Sequence, residues 1–221
     1  MCYAKKFALT NETRVFNNQT LYRIQALRDF DDVKAGALGG FIENESNLSH
    51  NGNCWVYDNA LVLNPAHIYE NAKVFNNAII MGSVYGNAHV CDRARVYANA
   101  HVYDYAHVSY DATVFSYARV YGRAIVAGSA RIHSYAKVYN YAFINGRAKI
   151  HGKVYGGALV GGCAEIYGSV FGNAKVLFYT KVWGRAYGNA KLTKKSKVRE
   201  VPINYEVYES DNLVKIVDET E

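Results

Sequence analysis

Two prolines in 221 residues, and four cysteines with no CxxC pair among them, leave little room for a proline-broken chain or a cysteine-built one. Cys2, Cys54, Cys91 and Cys163 fall at unrelated repeat positions, so neither a disulfide framework nor a zinc site is expected. No apolar run reaches the length of a membrane span. The stretch from Met1 to Ala8 holds two lysines but no long apolar segment of the secretory kind, so a cytoplasmic protein without membrane attachment is expected. A glycine-rich nucleotide loop and a cluster of metal-ligating side chains are also missing, and no cofactor or metal is expected.

What the chain has instead is a metronome. An alanine returns every six residues for ten occurrences from Ala94 to Ala148, and a Val or Ile nearly always follows it two places later. Side chains two apart lie on the same side of an extended strand, so Ala100 and Val102 point inward together. The second residue after the Ala-x-Val unit is typically Gly, Asn, Asp or Ser, as at Asn76, Gly86, Asp92, Asp104, Ser116, Gly122, Gly128, Asn140 and Gly146. These types tolerate tight turns and positive φ. A six-residue unit is too short for a helical hairpin or a propeller blade but suits a parallel β-helix.

In this pattern an aliphatic residue is followed four places on by a small one, as from Val96 to Ala100, Val102 to Ala106 and Val114 to Ala118. Over roughly residues 48 to 200 the chain thereby resembles the left-handed β-helix of the hexapeptide-repeat superfamily, in which three hexads make one triangular coil. The segment Leu38-Gly39-Gly40-Phe41-Ile42, followed by Gly52-Asn53-Cys54-Trp55-Val56-Tyr57, is similar to the entry of bacterial and phage hexapeptide-repeat proteins of the YdcK type. The resemblance implies a fold and no particular activity.

Four steps are shortened to four residues: Val84 to Ala88, Val154 to Ala158, Val170 to Ala174 and Ala186 to Ala190. Counted from Val84, coil starts fall at Ala100, Ala118, Ala136, Val154, Val170 and Ala186, which puts every shortened step on one face. The expectation is an all-β, left-handed parallel β-helix of about nine triangular coils, about 40 Å long at strand spacing. Residues 1–47 read as an N-terminal β-hairpin cap, with Arg14 to Ile24 alternating about an Asn-rich centre. Residues 48–199 are then the helix, and 200–221 a second hairpin-like cap from Glu200 to Val217 with an acidic tail at Asp218, Glu219 and Glu221.

This register turns the surface into columns. The shortened (first) face carries Tyr69, Tyr85, Tyr103, Tyr121, Tyr139, Tyr155, Phe171 and Tyr187, a structural stack or a platform for flat ligands. The second face carries Lys73, His89, His107, Ile125, Phe143, Leu159 and Lys175. Its apolar run Ile125, Phe143, Leu159 reads as a homo-oligomer contact, or as a patch covered by a terminal segment. The third face carries Arg95, Thr113, Arg131, Lys149, Glu165, Lys181 and Lys197. With a net charge of +6 it could meet an anionic partner such as nucleic acid, a nucleotide or a phosphorylated ligand.

Enzymes of the resembled superfamily are chiefly acyltransferases using coenzyme A or a carrier protein, with a histidine base at a subunit boundary and often a loop extruded from a corner. No such loop interrupts the repeat between Cys54 and Val198. His89 and His107 share a column, as do His133 and His151, and are the candidate bases, although none has a carboxylate in its column. The balance falls against an enzyme. The leading expectation is a self-associating scaffold or binding protein, with an acetyl-CoA acyltransferase and a nucleic-acid or nucleotide binder as alternatives.

Overall fold

The structure, a computed structural model, describes residues 5–216. Cys2 and the acidic end at Asp218, Glu219 and Glu221 lie outside the described residues. The chain winds as a left-handed parallel β-helix of about nine coils, built almost wholly from two-residue strands such as His101–Val102, His107–Val108 and Thr113–Val114. Each strand pairs in parallel with its equivalent one coil on: His89–Val90 with His107–Val108, and Arg95–Val96 with Thr113–Val114.

Every coil donates its N–H groups to the next coil's carbonyls. Trp55 N donates to Ala72 O at 3.1 Å, Tyr57 N to Val74 O at 2.8 Å and Tyr103 N to Val120 O at 3.0 Å. The small Ala and the β-branched residue of each unit fill the interior, and from Ala72 to Val176 these positions are fully buried or nearly so. Only narrow side chains fit because three strands face one another across a single thin prism.

The corners explain the polar residue types. Asp92, Asp104 and Asn140 sit at φ 60°, 56° and 58°, in the left-handed region that Asp and Asn adopt more readily than other non-glycine residues. The Asp side chains have a second task. The carboxylate of Asp92 accepts the Tyr110 backbone N–H at 2.9 Å, and that of Asp104 accepts the Gly122 N–H at 3.1 Å, tying one corner to the next. The same conformation at Ala98, Tyr110 and Phe178 (φ 53°, 59° and 67°) is imposed by the stack.

The shortening lies in a different part of the unit from that expected. The four-residue spacing separates Ile80 from Val84, Ile150 from Val154 and Ile166 from Val170, so what is short is the corner between the third and first faces, just before the Val. Gly82, Gly152, Gly168 and Gly184 hold the position that Ala takes elsewhere. At Gly152 and Gly168 a Cβ would stand 2.0 Å from the carbonyl oxygen of Gly168 and Gly184 respectively, so the two-residue bend brings backbones closer than any side chain allows. All the short bends share one edge of the prism, because each must stack on its counterpart.

Both ends are closed by antiparallel strands. Phe7–Phe16 and Gln19–Ala26 form a hairpin whose turn, Asn17-Asn18, has φ 48° and 62°, the two positive values a two-residue hairpin turn requires. Leu38–Ile42 pairs antiparallel with the second hairpin strand and in parallel with Leu61–Val62, joining the cap to the third face. At the other end Tyr205–Ser210 lies parallel to Arg185–Leu192 and antiparallel to Leu213–Lys215. Glu200–Val201, expected in that terminal hairpin, instead continues the third face in register with Lys181–Val182, because the turn at Pro202 separates it from Tyr205.

Gly168→Ala is expected to destabilise the fold by about 2–3 kcal/mol through backbone overlap. Gly157→Ala, where the new Cβ would meet Asn173 Oδ1 at 3.3 Å and Gly172 O at 3.5 Å, is expected to be near neutral. Urea midpoints of the two variants check this.

Candidate functional site

The Tyr column of the first face is a continuous stack. Tyr85, Tyr103, Tyr121, Tyr139 and Tyr155 follow one another with ring centroids 4.8–4.9 Å apart and interplanar angles of 1–6°. Tyr69 extends the stack at one end, Phe171 and Tyr187 at the other. Strand spacing and ring spacing nearly coincide, so the rings stack without distorting the backbone. The rings are half-buried and lie face to face within the stack. Only their edges are left for a ligand, so in the interior of the column the platform geometry is used up internally.

A second aromatic column, which reading by residue type had missed, follows the third-face strands at Tyr97, Phe115, His133, His151, Tyr167 and Trp183. Phe115 stacks on His133 at 5.0 Å and 8°, His133 meets His151 at 3.8 Å, His151 stacks on Tyr167 at 4.3 Å, and Tyr167 on Trp183 at 3.8 Å. His133 and His151 are therefore rungs of an aromatic ladder. Burial, first of all, holds both imidazoles below the ordinary histidine value, and for His133 the neighbouring His151 adds to it. Aligning the six-residue units would have exposed this column, because imidazoles substitute for phenyl rings within it.

His89 and His107 pair in register on the second face, their rings 6.3 Å apart and edge-on. The structure adds Cys91, which sequence reasoning left aside: its Sγ lies 3.7 Å from His107 Nε2. Burial lowers both histidines, with His107 and then Lys73 adding to the effect at His89, and burial pushes the Cys91 thiol up to about 11. At neutral pH this is a neutral imidazole beside a protonated thiol. His107 could accept a proton as a general base, but Cys91 is not poised as a thiolate nucleophile. Among the described residues no three His, Cys, Asp or Glu side chains converge as metal ligands.

Farther along the same column stand Ile125, Phe143 and Leu159, paired in sequence with His107 at one end and Lys175 at the other. Ile125 is 40% and Phe143 36% exposed, while beside them Ala127 and Gly161 are buried, which keeps the face low and flat. Among the described residues the N-terminal cap reaches this face only at its start, where Lys73 Nζ binds Asp31 at 2.7 Å and Asp32 at 2.8 Å.

Charge is distributed differently from the expected basic third face. Arg95, Thr113, Arg131, Lys149, Glu165 and Lys181 do form its column. Glu165, however, binds Lys149 at 2.9 Å and approaches Lys181 at 3.9 Å. Lys197 does not belong to the column. Glu200 pairs with Lys181 in its place, and Lys197 lies in the preceding turn with its N–H donated to Asp211. The coil lengthens there, which the six-residue count did not anticipate. Arg119, Lys137 and Lys153, in successive coils of the first face, have no carboxylate partner among the described residues, and neither do Arg95 and Arg131 of the third face. Next to Arg119, His101 keeps a buried Nδ1 without a hydrogen-bond partner among the described residues.

No family model matches the chain. Over 95 residues it is 36% identical to the uncharacterized acetyltransferase YdcK of Escherichia coli (strain K12). That match covers 39% of this chain and 29% of the relative, so the chain spans well under two thirds of that protein's length. Together with the coil geometry, it places the chain close to hexapeptide-repeat, acetyltransferase-like proteins over part of its length. No helix among the described residues is long and apolar enough to cross a membrane.

The depressed histidine values give a sign for acid sensitivity. Groups that bind protons less readily when folded favour the fold above the unfolded value of 6.5 and lose that contribution as pH falls below it. The melting temperature is expected to drop between pH 7.5 and 5.5. The His133→Phe/His151→Phe double variant, which keeps the ladder aromatic, is expected to show a shallower drop by thermal denaturation across that range.

Proposed function

We propose that this chain is a non-enzymatic β-solenoid scaffold that self-associates through its second face. The observation that carries this reading is the run Ile125, Phe143, Leu159 on a flat sheet surface, two of its three side chains more than a third exposed. A second copy is the occupant the surface fits best. A flat apolar strip at regular coil spacing matches another such strip in register, and the described caps leave it free. Burying such a strip contributes through the hydrophobic effect, and its low relief allows close packing. Light scattering at micromolar concentration is expected to give an oligomer for the natural chain and a monomer for Phe143→Asp, with the circular dichroism unchanged. A monomeric natural chain that Phe143→Asp leaves unaltered overturns the reading.

An acyltransferase is the second reading, favoured by the name of the Escherichia coli relative and by the His107–Cys91 contact. His107 adjoins Ile125 in the same column, so pairing through the apolar strip would bring this imidazole to the boundary between copies. There a neutral imidazole could take a proton from an amine or hydroxyl as it attacks the acetyl-CoA thioester. Incubation with acetyl-CoA and a panel of amine and hydroxyl acceptors distinguishes the readings. Turnover lost in His107→Ala, with the oligomer intact, would establish the transferase, and no turnover with any acceptor would leave the scaffold. A third reading is an anionic partner such as a nucleic acid or nucleotide, which would engage Arg95 and Arg131 of the third face or Arg119, Lys137 and Lys153 of the first, none of them paired with a carboxylate among the described residues.

A further inference from the structure

The N-terminal end of the prism carries an unpaired-acceptor problem. Because each coil points its N–H groups at the following coil, the carbonyls of the first second-face strand, Trp55–Val56, and of the residues leading into it have no earlier coil to pair with. Lys6 supplies the missing donor. Its side chain is fully buried, and its Nζ donates to Cys54 O at 2.8 Å and to Gly52 O at 3.3 Å while standing 5.1 Å from the Phe30 ring centroid. The same nitrogen lies 3.2 Å from Cys54 Sγ. Cys54 is fully buried at the small inward position that Ala72 takes in the next coil.

We propose that Lys6 and Cys54 are a redox-sensitive modification site, at which oxidation by a peroxide joins the thiol and the amine through a covalent Sγ–Nζ bond. In the first step the neutral Lys6 amine, 3.2 Å from Cys54 Sγ, takes the thiol proton as the sulfur attacks a peroxide oxygen, the O–O bond breaks, and the departing oxygen carries that proton away. Sulfur is oxidised by two electrons, the peroxide is reduced, and with hydrogen peroxide the products are a sulfenic acid and one water. In the second step the Lys6 nitrogen lone pair attacks that sulfur. The S–O bond breaks and the hydroxyl leaves with an amine proton as a second water. The protein has then lost one hydrogen from the thiol and one from the amine, and no further oxidant is needed.

Placement supports the second step over its competitors. The amine is already at hydrogen-bond distance, and its bonds to two carbonyls hold it there. Desolvation pulls the Lys6 amine below its ordinary value, which favours the neutral, nucleophilic form, and pushes the Cys54 thiol up, so the resting pair is a neutral amine beside a protonated thiol. Cys91, by contrast, faces an imidazole at 3.7 Å and has no comparable amine contact. The cross-link would fasten residue 6 to residue 54 and so tie the N-terminal cap to the first coil, converting a non-covalent end plug into a covalent, thiol-reversible one under oxidising conditions.

The full-length chain treated with hydrogen peroxide and digested without reductant is expected to yield one peptide joining the segments that contain Lys6 and Cys54. Its mass should be the sum of the two less two hydrogens, dithiothreitol should separate them, and the treated protein should melt at a higher temperature. Cys54→Ser should abolish the joined peptide. Lys6→Arg keeps a cation against the Gly52 and Cys54 carbonyls but removes the amine, and Cys54 should then be trapped as a dimedone adduct instead. Should Lys6→Arg fail to fold, the natural chain against Cys54→Ser decides alone. The proposal is overturned if Cys54 in the natural chain gains only whole oxygens, if it stays unmodified while Cys91 is oxidised, or if Lys6→Arg gives the same joined peptide.

Discussion

Every other feature of this molecule depends on one arrangement: backbone N–H groups of each coil pairing with carbonyls of the next, always in the same direction along the prism. Parallel pairing at this spacing requires each residue to sit above its equivalent, so a choice made once is repeated in every coil. The inward column must be narrow, the corner must accept positive φ, and any aromatic at a given position stacks on its neighbours. The uniform direction also makes the two ends different. One leaves carbonyls unpaired and is closed by a hairpin and a buried lysine, whereas the other is closed by a strand pair running back along the last coil.

A core of Ala, Val and Ile in so thin a prism buries little apolar area per coil, and the two aromatic ladders make up part of what is missing. Stacked rings contribute roughly 0.5–1.5 kcal/mol per pair beyond their area. The Tyr column runs almost unbroken along the edge that follows the first face, and the mixed Phe, His, Tyr and Trp column along another. This gives His133 and His151 a structural role in the ladder. His107 stands apart because it contacts a thiol and borders the apolar strip.

A regular prism has little concave surface of its own, so specificity has to come from which side chains the columns present or from the boundary between copies. The second face unites both sources. Its column passes from a salt-bridged lysine through two low-value histidines to an apolar strip.

The coil, the three faces and most columns were legible in the sequence because a parallel stack converts sequence period directly into spatial register. His89 with His107, Ile125 with Phe143 and Arg95 with Thr113 could all be paired by counting. Counting failed where the period breaks. It set the shortening in the wrong part of the unit, because a Gly-mediated bend and a missing Ala look alike in one dimension, and it carried the third-face column to Lys197 past a coil that had lengthened. The architecture was already present in the repeat, since local periodicity and coil geometry are the same fact. Folding in three dimensions set which cations are neutralised, made His133 and His151 ladder rungs, brought Cys91 to His107 and placed Lys6 in the open end beside Cys54. Those outcomes depend on side-chain rotamers and on segments far apart in sequence, which no repeat constrains.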